Sequence, residues 1–89
     1  MTDISRLEAL DDNSLYEVFD DTANRLGGRL VRLIRKARAD HDPDAEIRWA
    51  NEFDAIESER SNTRVADRKR QSELIIAWRN RRDELKELL

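Results

Sequence analysis

Apolar residues recur every three or four positions along almost the whole chain, the spacing of one face of an α-helix. Ile4, Leu7 and Leu10 mark a short first helix at about 3–11. Leu15, Phe19, Ala23, Leu26, Leu30, Leu33, Ile34 and Ala37 form one continuous stripe, which predicts a second helix over 14–39. Asn13-Ser14 offers its start. Ser14 followed by Glu17 has the form of a capping box, in which the hydroxyl accepts from the N3 amide and the glutamate reaches back. His41-Asp42-Pro43-Asp44 is the one clear turn. Proline has no amide hydrogen and suits the first helical turn, so Asp42 is expected to cap a helix with Pro43 at N1. Asp44 and Glu46 then sit where the helix dipole favours acids. Ile47, Trp49, Ala50, Phe53 and Ile56 give that helix its apolar face. From Glu57 to Glu73 the pattern thins to Val65 and Ala66, and it returns with Leu74, Ile75, Ile76, Trp78, Leu85, Leu88 and Leu89.

Charge decides between two all-α arrangements. The formal net charge of −3 hides alternating blocks. Residues 1–24 carry seven acids and one base, 25–39 six bases and no acid, 40–59 eight acids and one base, and 60–82 eight bases and two acids. A long antiparallel helical hairpin, turning near 41–42 with an unbroken helix over 43–88 of about 69 Å, sets residue i opposite residue 83 − i. Basic 25–39 then faces acidic 44–58, acidic 14–24 faces basic 59–69, and acidic 1–12 faces basic 71–82. Leu30 meets Phe53, Ile34 meets Trp49, and the short N-terminal helix lands near Ile75, Ile76 and Trp78. This coiled-coil-like hairpin with a short N-terminal helix is the arrangement the pattern favours. A compact three-helix bundle, broken near 61–63 at Ser61-Asn62-Thr63, is the alternative. Gly27-Gly28 costs roughly 2 kcal/mol inside a helix. The stripe stays in phase across the pair, so a kink, or a close approach to Ala55 and Ile56, fits better than a turn.

The hairpin leaves apolar surface over. Its long helix overhangs its partner by about 30 Å, of which the first helix covers about half. Leu15, Tyr16, Val18 and Phe19 form a band wider than one stripe, and so do Leu74, Ile75, Ile76 and Trp78. A second copy or another protein is expected to cover them. The predicted interface is Tyr16, Phe19, Ile75, Ile76, Trp78, Arg82 and Leu85, and a homodimer is expected.

Composition narrows the classes of function. Eighty-nine residues, 42% of them charged and 38% hydrophobic, make one domain over 1–89. No run of about 18 apolar residues exists to span a membrane. The acidic start MTDISRLEALDD has no apolar core of the kind a secretory signal needs. With no cysteine there is no disulfide framework and no thiolate metal site, and a cytoplasmic setting is expected. His41 is the only histidine, so a catalytic triad has little to build on. Asp40-x-Asp42-x-Asp44 has the spacing that opens a calcium loop, but Pro43 intrudes, Ala45 stands where glycine is needed and Asn51 where the bidentate glutamate belongs. Gly27-Gly28 runs into Arg29-Leu30-Val31, not the Lys-Ser/Thr of a phosphate loop. No enzyme activity, metal or cofactor is expected.

The basic side chains carry a separate possibility. Arg60, Arg64 and Arg68 stand one above another at i, i+4 and i+8, with Arg70 beside them, and Arg29, Arg32, Arg35, Lys36 and Arg38 make a second basic stretch. Such a stripe suits phosphate backbones, whereas neighbouring acidic blocks suit pairing within the fold. In composition the chain resembles the small, charged, all-helical proteins of bacterial chromosomes and mobile elements: antitoxins, phage-borne inhibitors and adaptors. That resemblance transfers no residue. The leading expectation is a non-catalytic interaction protein that binds a partner protein. The alternative is a nucleic-acid accessory or regulatory protein using Arg60, Arg64, Arg68 and Arg70.

Overall fold

A computed structural model describes residues 3–89; residues 1 and 2 of the expected single domain lie outside the described residues. The described chain is all-α, with four helices: α1 (Asp3–Glu8), α2 (Asp12–Ala39), α3 (Pro43–Asn62) and α4 (Arg68–Lys86). The molecule measures 45 × 27 × 14 Å, and the longest dimension is close to the roughly 42 Å length of α2. α2 is flanked by α3 and α4, and α1 rests on α4.

α2 begins at Asp12, two residues before the expected 14, and its cap lies three residues before Ser14, the cap of the capping-box reading. Asp11 is its N-cap and accepts a hydrogen bond from the Ser14 backbone N–H at 2.7 Å. That bond holds the Asp11 carboxyl below the usual carboxylate range. Ser14 is therefore the third helical residue rather than the cap. At the other end the chain turns as an αL cap. His41 has φ 55, the Asp42 N–H donates to the Ala37 carbonyl at 2.9 Å and the His41 N–H donates to Arg38. These two bonds are the paired closure of a Schellman turn, usually built on glycine. The single histidine thus has a backbone role. Asp42 caps α3 by accepting from the Ala45 N–H at 3.1 Å, with Pro43 in the first turn.

The expected unbroken helix over 43–88 does not form. α3 stops at Asn62, beside the 61–63 break of the alternative arrangement, and α4 starts at Arg68. Thr63 turns extended and donates its hydroxyl to the Glu59 carbonyl at 2.6 Å. Asp67 caps α4 by accepting from the Arg70 N–H. Gln71, fully buried, donates its amide to the Arg64 and Val65 carbonyls at 2.9 and 2.8 Å and so fastens the loop from inside.

The break lets α4 reverse and run parallel to α2. Arg68 reaches Asp12 at the start of α2, the Trp78 ring stacks on Phe19 with centroids 5.2 Å apart, and Leu88 lies beside Leu33 and Ala37. Leu7, Leu15, Phe19, Leu26, Leu30, Leu33, Ile56, Leu74, Ile75, Trp78 and Leu85 then form one core. The magnitudes explain why this arrangement wins over block-wise charge pairing. Burying one large apolar side chain is worth about 1.5–3 kcal/mol, whereas an exposed ion pair is worth about 0–1 kcal/mol. Bringing Leu74, Ile75, Trp78 and Leu85 onto α2 outweighs the lost pairing of 1–12 with 71–82.

The two glycines lie inside α2 without interrupting it. A Cβ on Gly27 would stand 3.2 Å from the Phe53 ring, so this glycine serves a close approach of α3. A Cβ on Gly28 would meet nothing within 4 Å. Gly28→Ala is therefore expected to raise stability by about 1 kcal/mol, and Gly27→Ala to gain less than that or to lose. Thermal melts of the two variants check the difference; equal gains would contradict the close approach.

Candidate anion-binding site

Reversal of α4 has an electrostatic consequence. The basic stretch 79–82, expected to face the acidic N-terminus, comes to lie beside the basic stretch of α2. Arg25, Gly28, Arg29, Arg32 and Arg82 line one open groove. Arg25, Arg79 and Arg82 continue into an adjoining one with Ser14, Glu17, Val18, Asp21 and Thr22. Helical spacing explains the alignment. Arg25, Arg29 and Arg32 stand at i, i+4 and i+7 on the flank of α2, and Arg79 and Arg82 at i and i+3 on α4.

Five arginines thus converge on one face. Arg25 is paired with Asp21 at 2.7 Å. Arg29, Arg32, Arg79 and Arg82 make no ion pair among the described residues, although Arg29, Arg79 and Arg82 are half-buried. The acids of the region, Asp21 and Glu17, stand toward the N-terminal end of α2. At its other end the groove is lined by arginine and Gly28 alone. Like charges side by side repel, and nothing in the core requires them there. Such a field attracts an anion.

Three of the four arginines predicted from sequence, Arg60, Arg68 and Arg70, are engaged by the fold instead. Arg60 bonds to Asp20 and Asn24 of α2, each at 2.8 Å, and to Glu57. Burial opposes its charge, but the hydrogen bonds to Glu57 and Asp20 outweigh that and raise its pKa. Arg68 bonds to Asp12 at 2.7 Å and to the Leu10 and Glu8 carbonyls, tying the end of α1 to the start of α2. Arg70 pairs with Glu59 at 3.5 Å across the α3–α4 bend. Arg64 is exposed in that bend. The four therefore do not form one stripe. Arg81 is likewise engaged by the fold, held in a two-pronged bond with Glu52 of α3 that raises its pKa.

The predicted protein interface meets a similar correction. Phe19, Ile75 and Leu85 are fully buried and Trp78 is 3% exposed. Tyr16, half-buried, sits against Phe19 with ring centroids 6.0 Å apart, and Ile76 packs on the core. Phe19, Ile75, Trp78 and Leu85 are interior because α4 folds back over α2, so a single chain buries most of the surplus that the straight hairpin left open and covers Tyr16 and Ile76 in part. Only Arg82 of the predicted set faces an open groove. The large apolar residues that remain exposed among the described residues are Ile47, Val65, Leu88 and Leu89, none of them lining the arginine grooves.

The acids around His41 have other roles as well. Asp40 pairs with Lys36 and Asp42 caps α3. Among the described residues, no group of three or more histidine or acidic side chains is placed to hold a metal ion. No helix among them is long and apolar enough to cross a membrane. No protein-family model matches the chain, and neither does any curated protein or solved structure.

Proposed function

We propose that this is a non-catalytic binding protein that engages an anionic macromolecule through the arginine face of α2 and α4. One observation carries the reading: Arg29, Arg32, Arg79 and Arg82 are brought together without carboxylate partners, while Arg60, Arg68, Arg70 and Arg81 are all paired. In a protein of net charge −3, a face that gathers four unpaired arginines is suited to oriented binding rather than general adhesion. The reading that rested on Tyr16, Phe19, Ile75, Ile76, Trp78 and Leu85 as a docking surface loses most of its motive, because Phe19, Ile75, Trp78 and Leu85 fill the core and Tyr16 and Ile76 pack against it. A cytoplasmic adaptor or inhibitor role is compatible with an arginine face whose partner is acidic.

Retention on immobilised heparin, a generic polyanion, tests the proposal. The wild-type chain is expected to be retained at about 50 mM salt and released as screening shortens the reach of its charges. Arg29→Glu/Arg82→Glu is expected to flow through while keeping its helix content. Wild-type protein in the flow-through would contradict the proposal.

A further inference from the structure

We infer that the anionic partner is the sugar–phosphate backbone of a nucleic-acid duplex, bound without regard to sequence. This rests on the reading of the arginine face as a binding surface and names what it binds. Three features of the face point the same way.

The first is the type of cation. All five basic side chains on the two grooves are arginine, and none is lysine. The planar guanidinium fork matches two oxygens of a phosphate, whereas an ammonium acts as a point charge. The rows also have length and width. Arg25 to Arg32 spans seven residues of α2, a rise of about 10 Å, and Arg79 and Arg82 form a second row on the parallel α4. A single small anion does not need such an array, and neighbouring phosphates of a backbone do.

The second is what the face lacks. Single-strand binders combine a basic groove with aromatic side chains on which bases stack, and protein interfaces depend on a few apolar or aromatic anchors at their centre. Among the described residues, no aromatic lines either groove, and the only large apolar one is Val18, half-buried against the core. Of the aromatics nearest in sequence, Phe19 and Trp78 are interior, and Tyr16, half-buried, packs against Phe19 and lines neither groove. Nothing on the face is suited to a base plane or to an apolar anchor, so contact is confined to phosphates, which position a duplex but carry no sequence information.

The third is Gly28. It is exposed among Arg25, Arg29, Arg32 and Arg82, and a Cβ there would touch nothing. Packing does not explain a residue that weakens the helix. A bare floor between arginines lets a backbone phosphate settle onto the helix with guanidinium groups on each side. Asp21 and Glu17 bound the site toward the start of α2, which limits the contact to about three or four phosphates.

Fluorescence anisotropy tests the inference, using labelled duplexes of about 20 base pairs in two unrelated sequences, duplex RNA of the same length, and one strand alone, with heparin retention measured in parallel. Both DNA duplexes are expected to bind equally, and more tightly than the single strand. With three or four phosphates neutralised, log affinity should fall with log salt at a slope of about −3 to −4. Arg29→Glu/Arg32→Glu/Arg82→Glu is expected to lose affinity by about 100-fold or more, with an unchanged circular dichroism spectrum and melting temperature. Gly28→Leu, which fills the floor without touching a charge, is expected to weaken binding several-fold and to keep the salt slope. Preference for the single strand, or for one sequence, would overturn the inference. So would the absence of binding to any nucleic acid at about 50 mM salt. If heparin retention persists in that last case, the arginine face still binds polyanions and an acidic protein becomes the partner. If retention is lost as well, the broader proposal fails with the inference.

Discussion

Trp78→Ala is expected to unfold the protein rather than to detach a partner. Trp78 is 3% exposed and stacks on the fully buried Phe19 at an interplanar angle of 29°. Removing a buried tryptophan costs about 3–5 kcal/mol. A chain of this length has little more than that in reserve. The melt should lose its cooperative transition or shift down by more than about 15 °C. Trp78→Phe keeps a ring against Phe19 and should retain a cooperative melt at a lower temperature. Were Trp78→Ala to melt within a few degrees of the wild type, Trp78 would belong to the surface and the packing of α4 on α2 would be wrong.

The second large effect concerns arginines that look functional in sequence. Arg60 and Arg68 each close a long-range connection, from α3 to Asp20 and Asn24, and from α4 to Asp12 and the end of α1. Arg60 keeps only 20% of its side chain exposed and Arg68 33%, so solvent screens these bonds incompletely. Hydrogen bonds to charged groups contribute about 1.5–3 kcal/mol each where protected. The exposure of Asp12, at 80%, puts Arg68 at the low end. Arg60→Ala/Arg68→Ala is expected to lose about 2–4 kcal/mol, or at least about 10 °C in melting temperature. A melt unchanged to within about 2 °C would show these to be ordinary surface pairs.

The same energetics decide which elements are legible in the sequence and which are hidden. The Asp42-Pro43 start of α3 is legible because proline and an aspartate cap act locally. The stripe of α2 is legible because its period is sustained across Gly27 and Gly28. The bend at Thr63–Asp67 is harder to see. It contains no glycine or proline, and its closure depends on Gln71, a polar residue whose burial no periodicity marks. Its signals are Ser61-Asn62-Thr63, the break of the alternative bundle, the thinning of apolar residues after Glu57, and the aspartate at 67, a residue type able to cap a new helix. Charge complementarity between blocks instead suggests one straight helix, but surface charge is too weak a term to fix topology. The site is hidden for the same reason. Arg60, Arg64 and Arg68, with Arg70 beside them, lie along a helix that does not exist as one piece. Arg29, Arg32, Arg79 and Arg82 are far apart in sequence and meet only because α4 turns back along α2.

The fold holds Arg60, Arg68, Arg70 and Arg81 in ion pairs and gathers Arg29, Arg32, Arg79 and Arg82 unpaired on one face. A single comparison tests it: heparin elution and thermal melting of Arg60→Ala/Arg68→Ala beside Arg29→Glu/Arg82→Glu. The first pair should melt lower and, below its transition, elute with the wild type. The second pair should melt with the wild type and lose retention. If Arg60→Ala/Arg68→Ala abolishes retention while Arg29→Glu/Arg82→Glu still binds, the division is wrong.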